Sequence, residues 1–178
     1  MKTEYEVRFL EIDVDKILEK LKEVGAEEIG DWKQIRKTYD LIHPQPNSWI
    51  RLRTNGETTT LTVKEIGMAK IDGAKEAEIV VDNFDEADLI LTKIGLQARN
   101  YQENNRHQFR YKGAEIDVDT WPLIPTYLEI EGENEAMIKE VCKGLELDYA
   151  KSTTMDVTDI YKNIYGIDIL KIKTLKLQ

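Results

Sequence analysis

A chain of 178 residues with a net charge of −9 and a single cysteine is long enough to form one domain with its own hydrophobic core. The acidic balance argues against a nucleic-acid-binding protein, no apolar run is long enough to span a membrane, and the N-terminus MKTEYEVRFL lacks the apolar core of a secretory signal. Because Cys142 has no second cysteine with which to form an intramolecular disulfide, we expect a cytoplasmic protein.

Strands dominate the predicted secondary structure. The lack of internal repeats and of long linkers predicts one domain over residues 1–178. Asn55-Gly56 and Lys112-Gly113 have the chemistry of tight hairpin turns. Alternating apolar and polar residues predict eight strands within about residues 3–132, at about 3–11, 29–40, 48–55, 58–65, 74–82, 98–112, 114–121 and 125–132.

Four amphipathic helices are predicted between and after these strands. Capping residues such as Asp13 and closing glycines such as Gly25 mark their ends. The C-terminal helices occupy about residues 134–166, and the tail from Ile167 to Gln178 has no clear pattern. The four helices are predicted from Asp13 to Gly25, over about residues 85–94, from near Asn134, and over about residues 156–165.

Charged residues repeat on one face of seven of the eight predicted strands, because residues two apart in a strand share a face. The same-sign charge pairs, and the helices available to cover the apolar faces, favour a closed barrel with a charged lumen over an open sheet with one wet face. We therefore predict an α+β fold, a closed antiparallel eight-stranded β-barrel with helices packed outside. The repeating residues are Glu4, Glu6 and Arg8; Arg51 and Arg53; Thr62 and Lys64; Glu76 and Glu78; Arg106, Gln108 and Arg110; Asp117 and Asp119; and Glu129 and Glu131.

This lumen needs a ligand that carries both signs of charge. Eight carboxylates and six Lys or Arg side chains would share a restricted space, where uncompensated charges are strongly unfavourable. Arginine suits bidentate contacts to phosphate, and carboxylates bind hard cations such as Mg²⁺ or Mn²⁺. The residues alone predict a small-molecule triphosphate or nucleotide bound together with metal.

In this order, the residues resemble the CYTH superfamily of triphosphate tunnel metalloenzymes, which includes class IV adenylyl cyclases, thiamine triphosphatases and inorganic triphosphatases. The resemblance covers roughly residues 4–131 and departs from the family pattern at two places. Arg8 stands where the N-terminal ExExK signature has lysine, and ENNRH around Arg106 has Asn104 and Asn105 where many members carry a lysine nearby. The matching segments are EYEVR at the N-terminus, RLR at 51–53, TVK at 62–64, EAE at 76–78, Arg106, Asp119 and EIE at 129–131.

The resemblance implies a role for each matching side chain in an eight-stranded tunnel. The triphosphate would be bound by Arg8, Arg51, Arg53, Lys64 and Arg106, to which the strand alternation adds Arg110. Metal would be bound by Glu4, Glu6, Asp119, Glu129 and Glu131, supported by Glu76 and Asp117. Glu78 and Arg8 are the expected catalytic residues, with a carboxylate of the first strand as the alternative acceptor of the proton of water.

Three functions remain open at this point. A triphosphatase acting on tripolyphosphate, thiamine triphosphate or a nucleoside triphosphate is the first choice, because nothing in the sequence demands a specific base pocket. A class IV adenylyl cyclase, which converts ATP to cyclic AMP and pyrophosphate, is the second, and a non-catalytic nucleotide-binding or polyphosphate-binding module is the third. Trp49, which shares a face with Arg51 and Arg53, is the best candidate for contact with a base. Both a monomer and a homodimer remain open.

Overall fold

Eight antiparallel strands close into a barrel in the structure, a computed structural model that describes residues 1–43, 45–67 and 70–178. They are hydrogen-bonded in the order β2-β3-β4-β5-β1-β8-β7-β6, and β2 also pairs with β6, which closes the sheet. The strands are β1 (Lys2–Phe9), β2 (Glu27–Asp40), β3 (Ser48–Thr54), β4 (Thr59–Ile66), β5 (Ala74–Val81), β6 (Ala98–Tyr111), β7 (Ala114–Thr120) and β8 (Tyr127–Gly132). The predicted fold class is confirmed, with each strand end within two residues of its predicted position.

Two layers of apolar side chains hold helices against the outer face of the barrel. Helices α1 (Val14–Glu23) and α3 (Glu135–Gly144) cover the wall made by β1, β8, β7 and part of β6, and α2 (Phe84–Lys93) covers β2 and β3. The predicted caps are present. A carboxyl oxygen of Asp13 accepts a hydrogen bond from a backbone N–H group in the first turn of α1, and the amide oxygen of Asn134 accepts one in the first turn of α3. The fully buried residues behind α1 and α3 include Val7, Leu21, Ile116, Leu128, Ile130, Ile138 and Val141.

The chain after α3 packs on the end of the barrel where β7 and β8 are joined. An α-helical turn, α4 (Val157–Asp159), continues as a π-helical turn over Ile160–Ile164, so the fourth predicted helix is present only as a short, irregular segment. The tail contains a 3₁₀ turn and a short strand, β9 (Thr174–Leu175), that runs parallel to β6. The apolar residues Ile160, Tyr161, Ile169 and Leu175 of the chain after α3 pack against Trp121, Ile124 and Tyr127. None of the helices in the described ranges is long and apolar enough to cross a membrane.

We expect Ile130→Ala to lower the free energy of unfolding by roughly 2–5 kcal/mol, because truncation leaves a cavity behind α1 and α3. Ile130 is fully buried on the outer face of β8. Ile79→Ala on β5 is the matched control, because 61% of Ile79 is exposed, and should change stability by under about 1 kcal/mol. Urea unfolding followed by circular dichroism measures both. Equal losses in the two variants would contradict the assignment of the core to this wall.

A candidate active site inside the barrel

The barrel encloses a cavity of about 1130 Å³ that is lined by side chains from all eight of its strands. The strand alternation therefore places charged residues inside the barrel. Asp117 is buried beside this cavity, where its carboxylate contacts Arg106 at 2.5 Å. The sequence-predicted residues that line the cavity are Glu4, Glu6, Arg8, Arg51, Arg53, Lys64, Glu76, Glu78, Arg106, Asp119, Glu129 and Glu131.

Arg110 is the exception among the predicted phosphate-binding residues, and its placement in the lumen is corrected by the structure. Its side chain is exposed and is not part of the cavity wall. Arg110 pairs in register with Glu27, the first residue of β2, which is also exposed. The alternation on β6 continues past the point where the lumen ends. The position of Arg110 in that alternation therefore does not show whether its side chain faces the lumen.

Three arginines lie together on two neighbouring strands, and two of them, Arg36 and Arg53, have too few carboxylate partners, whereas Arg51 contacts Glu76 and Glu78. Arg36 and Arg53 lie opposite each other in the pairing of β2 with β3, and Arg51 is two residues before Arg53. Arg51 and burial together lower the pKa of Arg53 to about 10. Burial, with Arg53 and Arg51 nearby, lowers the pKa of Arg36 to about 9. Arg53 has one ion pair within the described chain, to Glu78 at 3.8 Å. This wall is therefore suited to binding an anion.

Arg36 is a candidate site residue that the sequence analysis missed. Its guanidinium donates to the amide oxygens of Gln34 and Asn104 and lies 4.5 Å from the ring centroid of Trp121. Over the part of the chain that the structure describes, no carboxylate forms a salt bridge with it, and its Nε has no hydrogen-bond acceptor. The available signal was that Gln34 and Arg36 share a face of β2. It was obscured because charged residues, such as Lys37, occupy the opposite face of that strand.

In another part of the lumen, the cationic side chains are too few to neutralise every carboxylate. Glu4 and Glu76 share Lys64, whose Nζ is 2.9 Å from Glu4 Oε2 and 2.8 Å from Glu76 Oε1, and Glu76 also contacts Arg51 Nη2 at 3.3 Å. Burial raises the pKa of Glu4 to about 7 despite this contact. The same burial is outweighed at Glu76, where Arg51 and Lys64 lower the pKa to about 2. Among the described residues Glu4 forms its one ion pair with Lys64, which it shares with Glu76, so Glu4 can accept a further cation.

A second acidic group spans three neighbouring strands. Glu131 on β8 is the register partner of Glu6 on β1 and of Glu115 on β7. Burial raises the pKa of Glu131 to about 7, and Glu129 and Glu115 add to the effect. Among the described residues Glu131 forms its ion pair with Lys2, whose side chain is largely exposed and whose Nζ lies 3.6 Å from Glu131 Oε1. Negative charge on this side is therefore also incompletely compensated.

Arg8 and Arg106 are already bound to carboxylates. Arg8 Nη2 lies 2.6 Å from Glu129 Oε2 and 2.9 Å from Glu6 Oε2, while its Nη1 donates to the carbonyl oxygen of Met155 at 2.8 Å. Arg106 donates in a bidentate manner to Asp119, from Nε at 2.9 Å and from Nη2 at 2.6 Å, and also contacts Glu129. The two arginines therefore fix the orientation of the acidic wall, and either would have to exchange partners to bind phosphate.

The donor set of the acidic wall fits a divalent metal ion in its chemistry. Oxygen donors from carboxylates are what Mg²⁺ and Mn²⁺ prefer, and Glu4, Glu6 and Glu131 belong to the two groups with excess negative charge. Within the described ranges, no three acidic, His or Cys side chains converge on one point at metal-binding distances. Arg8 and Lys64 take up the intervening oxygens, so a bound metal would have to displace these contacts.

Comparisons with known proteins agree with this architecture. The PH1012 protein from Pyrococcus horikoshii OT3 superposes with a TM-score of 0.73 at 20% identity, over 86% of this chain and 96% of that one. A candidate adenylate cyclase from Vibrio parahaemolyticus gives 0.72 at 15% identity, over 93% and 99% of the two chains. HpAC1 from Hippeastrum, a candidate adenylyl cyclase described as having a dominant triphosphatase activity, gives 0.61 at 14% identity, over 96% and 99%. At these identities the likeness shows the fold alone.

No curated protein matches the chain. The family model for the CYTH domain matches residues 2–153, which include all eight strands of the barrel and the charged residues of its lumen. The chain belongs to the CYTH family.

Proposed function

We propose that the protein is a metal-dependent enzyme that hydrolyses triphosphates inside the barrel. The observation that carries this proposal is the pair of opposite charge imbalances in one cavity. Burial and mutual repulsion lower the pKa of Arg36 and Arg53, and burial raises the pKa of Glu4 and Glu131 to about 7. A polyphosphate bound with a divalent metal ion supplies the missing charge of both signs, whereas an anion or a cation alone supplies only one.

The phosphate chain would bind to the basic wall. Arg51, Arg53 and Arg36 offer guanidinium groups from β3 and β2, and the Nε atoms of Arg36 and Arg51 have no acceptor in the described part of the chain. Hydrogen bonds from guanidinium groups to phosphate are charge-assisted and often bidentate. Lys64, Arg8 and Arg106 border the acidic wall and would contact the phosphates after exchanging carboxylate partners.

The metal would bind to the acidic wall, next to the phosphates. Its ligands would come from Glu4, Glu6, Asp119, Glu129 and Glu131, with Glu76 and Asp117 in support. When bound, such a metal neutralises charge on the phosphates and lowers the pKa of a bound water. Burial raises the pKa of Asp117 to about 7, even beside Arg106, and the neighbouring Asp119 and Glu129 add to the effect.

The environments of Glu78 and Glu4 suit them to different roles. Glu78 Oε2 accepts from Thr62 Oγ1 at 2.6 Å, and this contact, with Arg53 and Arg51 nearby, outweighs burial and lowers the pKa of Glu78. A carboxylate with a lowered pKa is a weak base, so Glu78 is better suited to holding the two arginines in place. Glu4 has a pKa of about 7 in the metal-free protein, close to the value that favours proton transfer at neutral pH, provided that Glu4 is not itself bound to the metal. We therefore propose that a carboxylate of the first strand, rather than Glu78, accepts the proton of the attacking water.

The cyclase reaction is the second candidate, and the tunnel would serve it with the same phosphate and metal contacts. In that reaction the 3′-hydroxyl of ATP attacks the α-phosphorus, and pyrophosphate leaves. A non-catalytic binding module is the third candidate. Incubation with tripolyphosphate, thiamine triphosphate and each nucleoside triphosphate, with Mg²⁺ or Mn²⁺, separates the three. We expect orthophosphate as the released product; cyclic AMP with pyrophosphate would support the cyclase, and no turnover of any substrate would support the module.

Arg53→Ala should weaken triphosphate binding by about 1.5–3 kcal/mol, equivalent to roughly 10-fold to 150-fold in Kd, because a charge-assisted phosphate contact is lost. Arg110→Ala is the matched control, since Arg110 is exposed outside the cavity. Isothermal titration with a triphosphate and with adenosine measures the difference. An equal loss for both ligands would mean that Arg53 is structural, and a comparable loss in Arg110→Ala would contradict the placement of the phosphate site.

Glu131→Gln should make the metal-free protein more stable at about pH 8 and leave it nearly unchanged near pH 4.5. The pKa of Glu131 rises from 4.5 in the unfolded chain to about 7 in the fold, so between these values only the folded state holds the proton. The free energy of unfolding of the natural protein therefore falls as the pH rises through this window. Urea titrations across the window measure the difference between the two proteins.

Glu57→Gln, in the exposed turn between β3 and β4, is the control for a change of net charge. If Glu131→Gln gains the same stability at both ends of the pH range, the pKa of Glu131 is not raised by its surroundings in the fold, and the prediction is contradicted. Glu131→Gln and Glu4→Gln should both lose metal-dependent turnover. Near-normal turnover in both, at saturating metal, would contradict the metal assignment.

A further inference from the structure

Neutral groups hold Arg36 in the lumen, although its side chain is charged and only 7% of the residue is exposed. Its Nη2 donates to the side-chain oxygens of Gln34, at 2.9 Å, and of Asn104. The indole of Trp121 covers one face of the guanidinium, with its ring centroid 4.5 Å from Cζ. Each of these contacts orients Arg36, and none of them carries a negative charge.

Arg8 shows the alternative way to hold a buried arginine in this lumen. It is 4% exposed, and its Nη2 is paired with the carboxylates of Glu6 and Glu129. A carboxylate both orients and neutralises a guanidinium, and it forms stronger hydrogen bonds than a neutral amide does. A fold that used Arg36 as a structural group alone would therefore gain more from a carboxylate partner than from two amides. The amides leave the charge of Arg36 available to a ligand.

The amide of Asn104 is fixed in the orientation that suits Arg36. Asn104 is fully buried, and its Nδ2 donates to Asp119 Oδ1 at 3.4 Å while its Oδ1 accepts from Arg36. Asp119 forms its salt bridge with Arg106, so Asn104 connects Arg36 to the acidic wall without neutralising it. Gln34 is the register partner of Asn104 on the neighbouring strand. The two amides therefore reach Arg36 from both β2 and β6.

Two donors in this cluster still require acceptors. The buried Nε of Arg36 and the indole Nε1 of Trp121 have no hydrogen-bond partner among the described residues, and both side chains line the cavity. Unpaired buried donors are unfavourable unless a ligand supplies the acceptors. A phosphate group carries several acceptor oxygens together with the negative charge that Arg36 lacks. Unlike Arg8, Arg36 can bind such a group without releasing a carboxylate.

We propose that Gln34 and Asn104 are positioning residues that hold Arg36 with neutral oxygens and so leave its charge to the phosphate chain. They thereby set the affinity of the cavity for anions. This inference rests on the proposed function in one respect, that the anion is a phosphate chain.

Gln34→Glu tests the proposal, because it puts a carboxylate of the same length beside Arg36. We expect the melting temperature of the ligand-free protein to rise, since Arg36 gains an ion-pair partner. We expect Kd for imidodiphosphate, which resists hydrolysis, to rise by roughly tenfold in Mg²⁺, because the phosphate must then compete with that carboxylate. Calorimetric melting and isothermal titration measure the two effects. Their opposite signs are the readout that a merely structural role for Gln34 would not give.

Gln108→Glu is the matched control, because it adds the same charge to the lumen beside Asp117 rather than beside Arg36. Gln108 Nε2 donates to Asp117 Oδ1 at 3.0 Å, so a carboxylate there meets a like charge. We expect the melting temperature of this variant to fall and its Kd for imidodiphosphate to rise by less than that of Gln34→Glu.

The role of Asn104 is tested in two backgrounds. Asn104→Leu removes the acceptor at similar volume and should raise Kd for imidodiphosphate by roughly threefold or more in the natural protein. In the Arg36→Met background the same substitution should change Kd by less than about twofold, because its effect acts through Arg36. Arg36→Met removes a buried charge that has no carboxylate partner in the described part of the chain, so this background should melt no lower than the natural protein.

Three results would overturn the assignment. They are a fall in both melting temperature and affinity in Gln34→Glu, an equal loss of affinity in Gln108→Glu, and an equal effect of Asn104→Leu in both backgrounds. Failure of the proposed hydrolysis is a separate result. In that case the natural protein would release no orthophosphate from any triphosphate, while the opposite effects of Gln34→Glu on melting and on imidodiphosphate binding would persist.

Discussion

Buried charge without a sufficient partner is the constraint on which the rest of this structure depends. Arg36 and Arg53 face the lumen from one wall, and Glu4 and Glu131 face it from another. The pKa of each is moved toward the neutral form by burial and by neighbours of the same sign. Such groups lower the stability of the free protein, and the barrel can hold them because its apolar cores lie outside it. The unfavourable charges define what the cavity can bind.

The strand order explains why the two signs are separated. Strands β2 and β3 carry the basic wall, whereas β1, β7 and β8 are adjacent and carry most of the carboxylates. Arg8 and Arg106 lie within the acidic wall and hold Glu129 between them. Each wall is supported from outside, the acidic one by α1 and α3 and the basic one by α2. The segment that follows α3 reaches the acidic wall as well, since the carbonyl oxygen of Met155 accepts a hydrogen bond from Arg8.

Much of this arrangement could be predicted from alternation along single strands. On β1, β3 and β8 charged residues alternate with apolar ones over residues 4–9, 50–53 and 128–131, so the sequence pattern there predicts correctly which side chains face the lumen. The prediction of lumen-facing residues failed at two places. It missed Arg36 because the outer face of β2 is also polar, and it wrongly included Arg110 because β6 extends beyond the end of the tunnel. The irregular helix after Asp156 and the pairing of β9 with β6 depend on contacts with Trp121 and its neighbours. Such contacts between distant segments leave no local pattern in the sequence.

The central claim is that the cavity needs an anion and a cation together, and calorimetric melting with tripolyphosphate and Mg²⁺ tests it most directly. A ligand that binds only the folded state stabilises it by about 2.7 kcal/mol at one hundred times Kd. We predict that the two together raise the melting temperature by clearly more than the sum of their separate effects, because each supplies charge that the other lacks. Sulfate at matched ionic strength controls for screening. Purely additive shifts, or no shift at millimolar concentrations, would contradict the account.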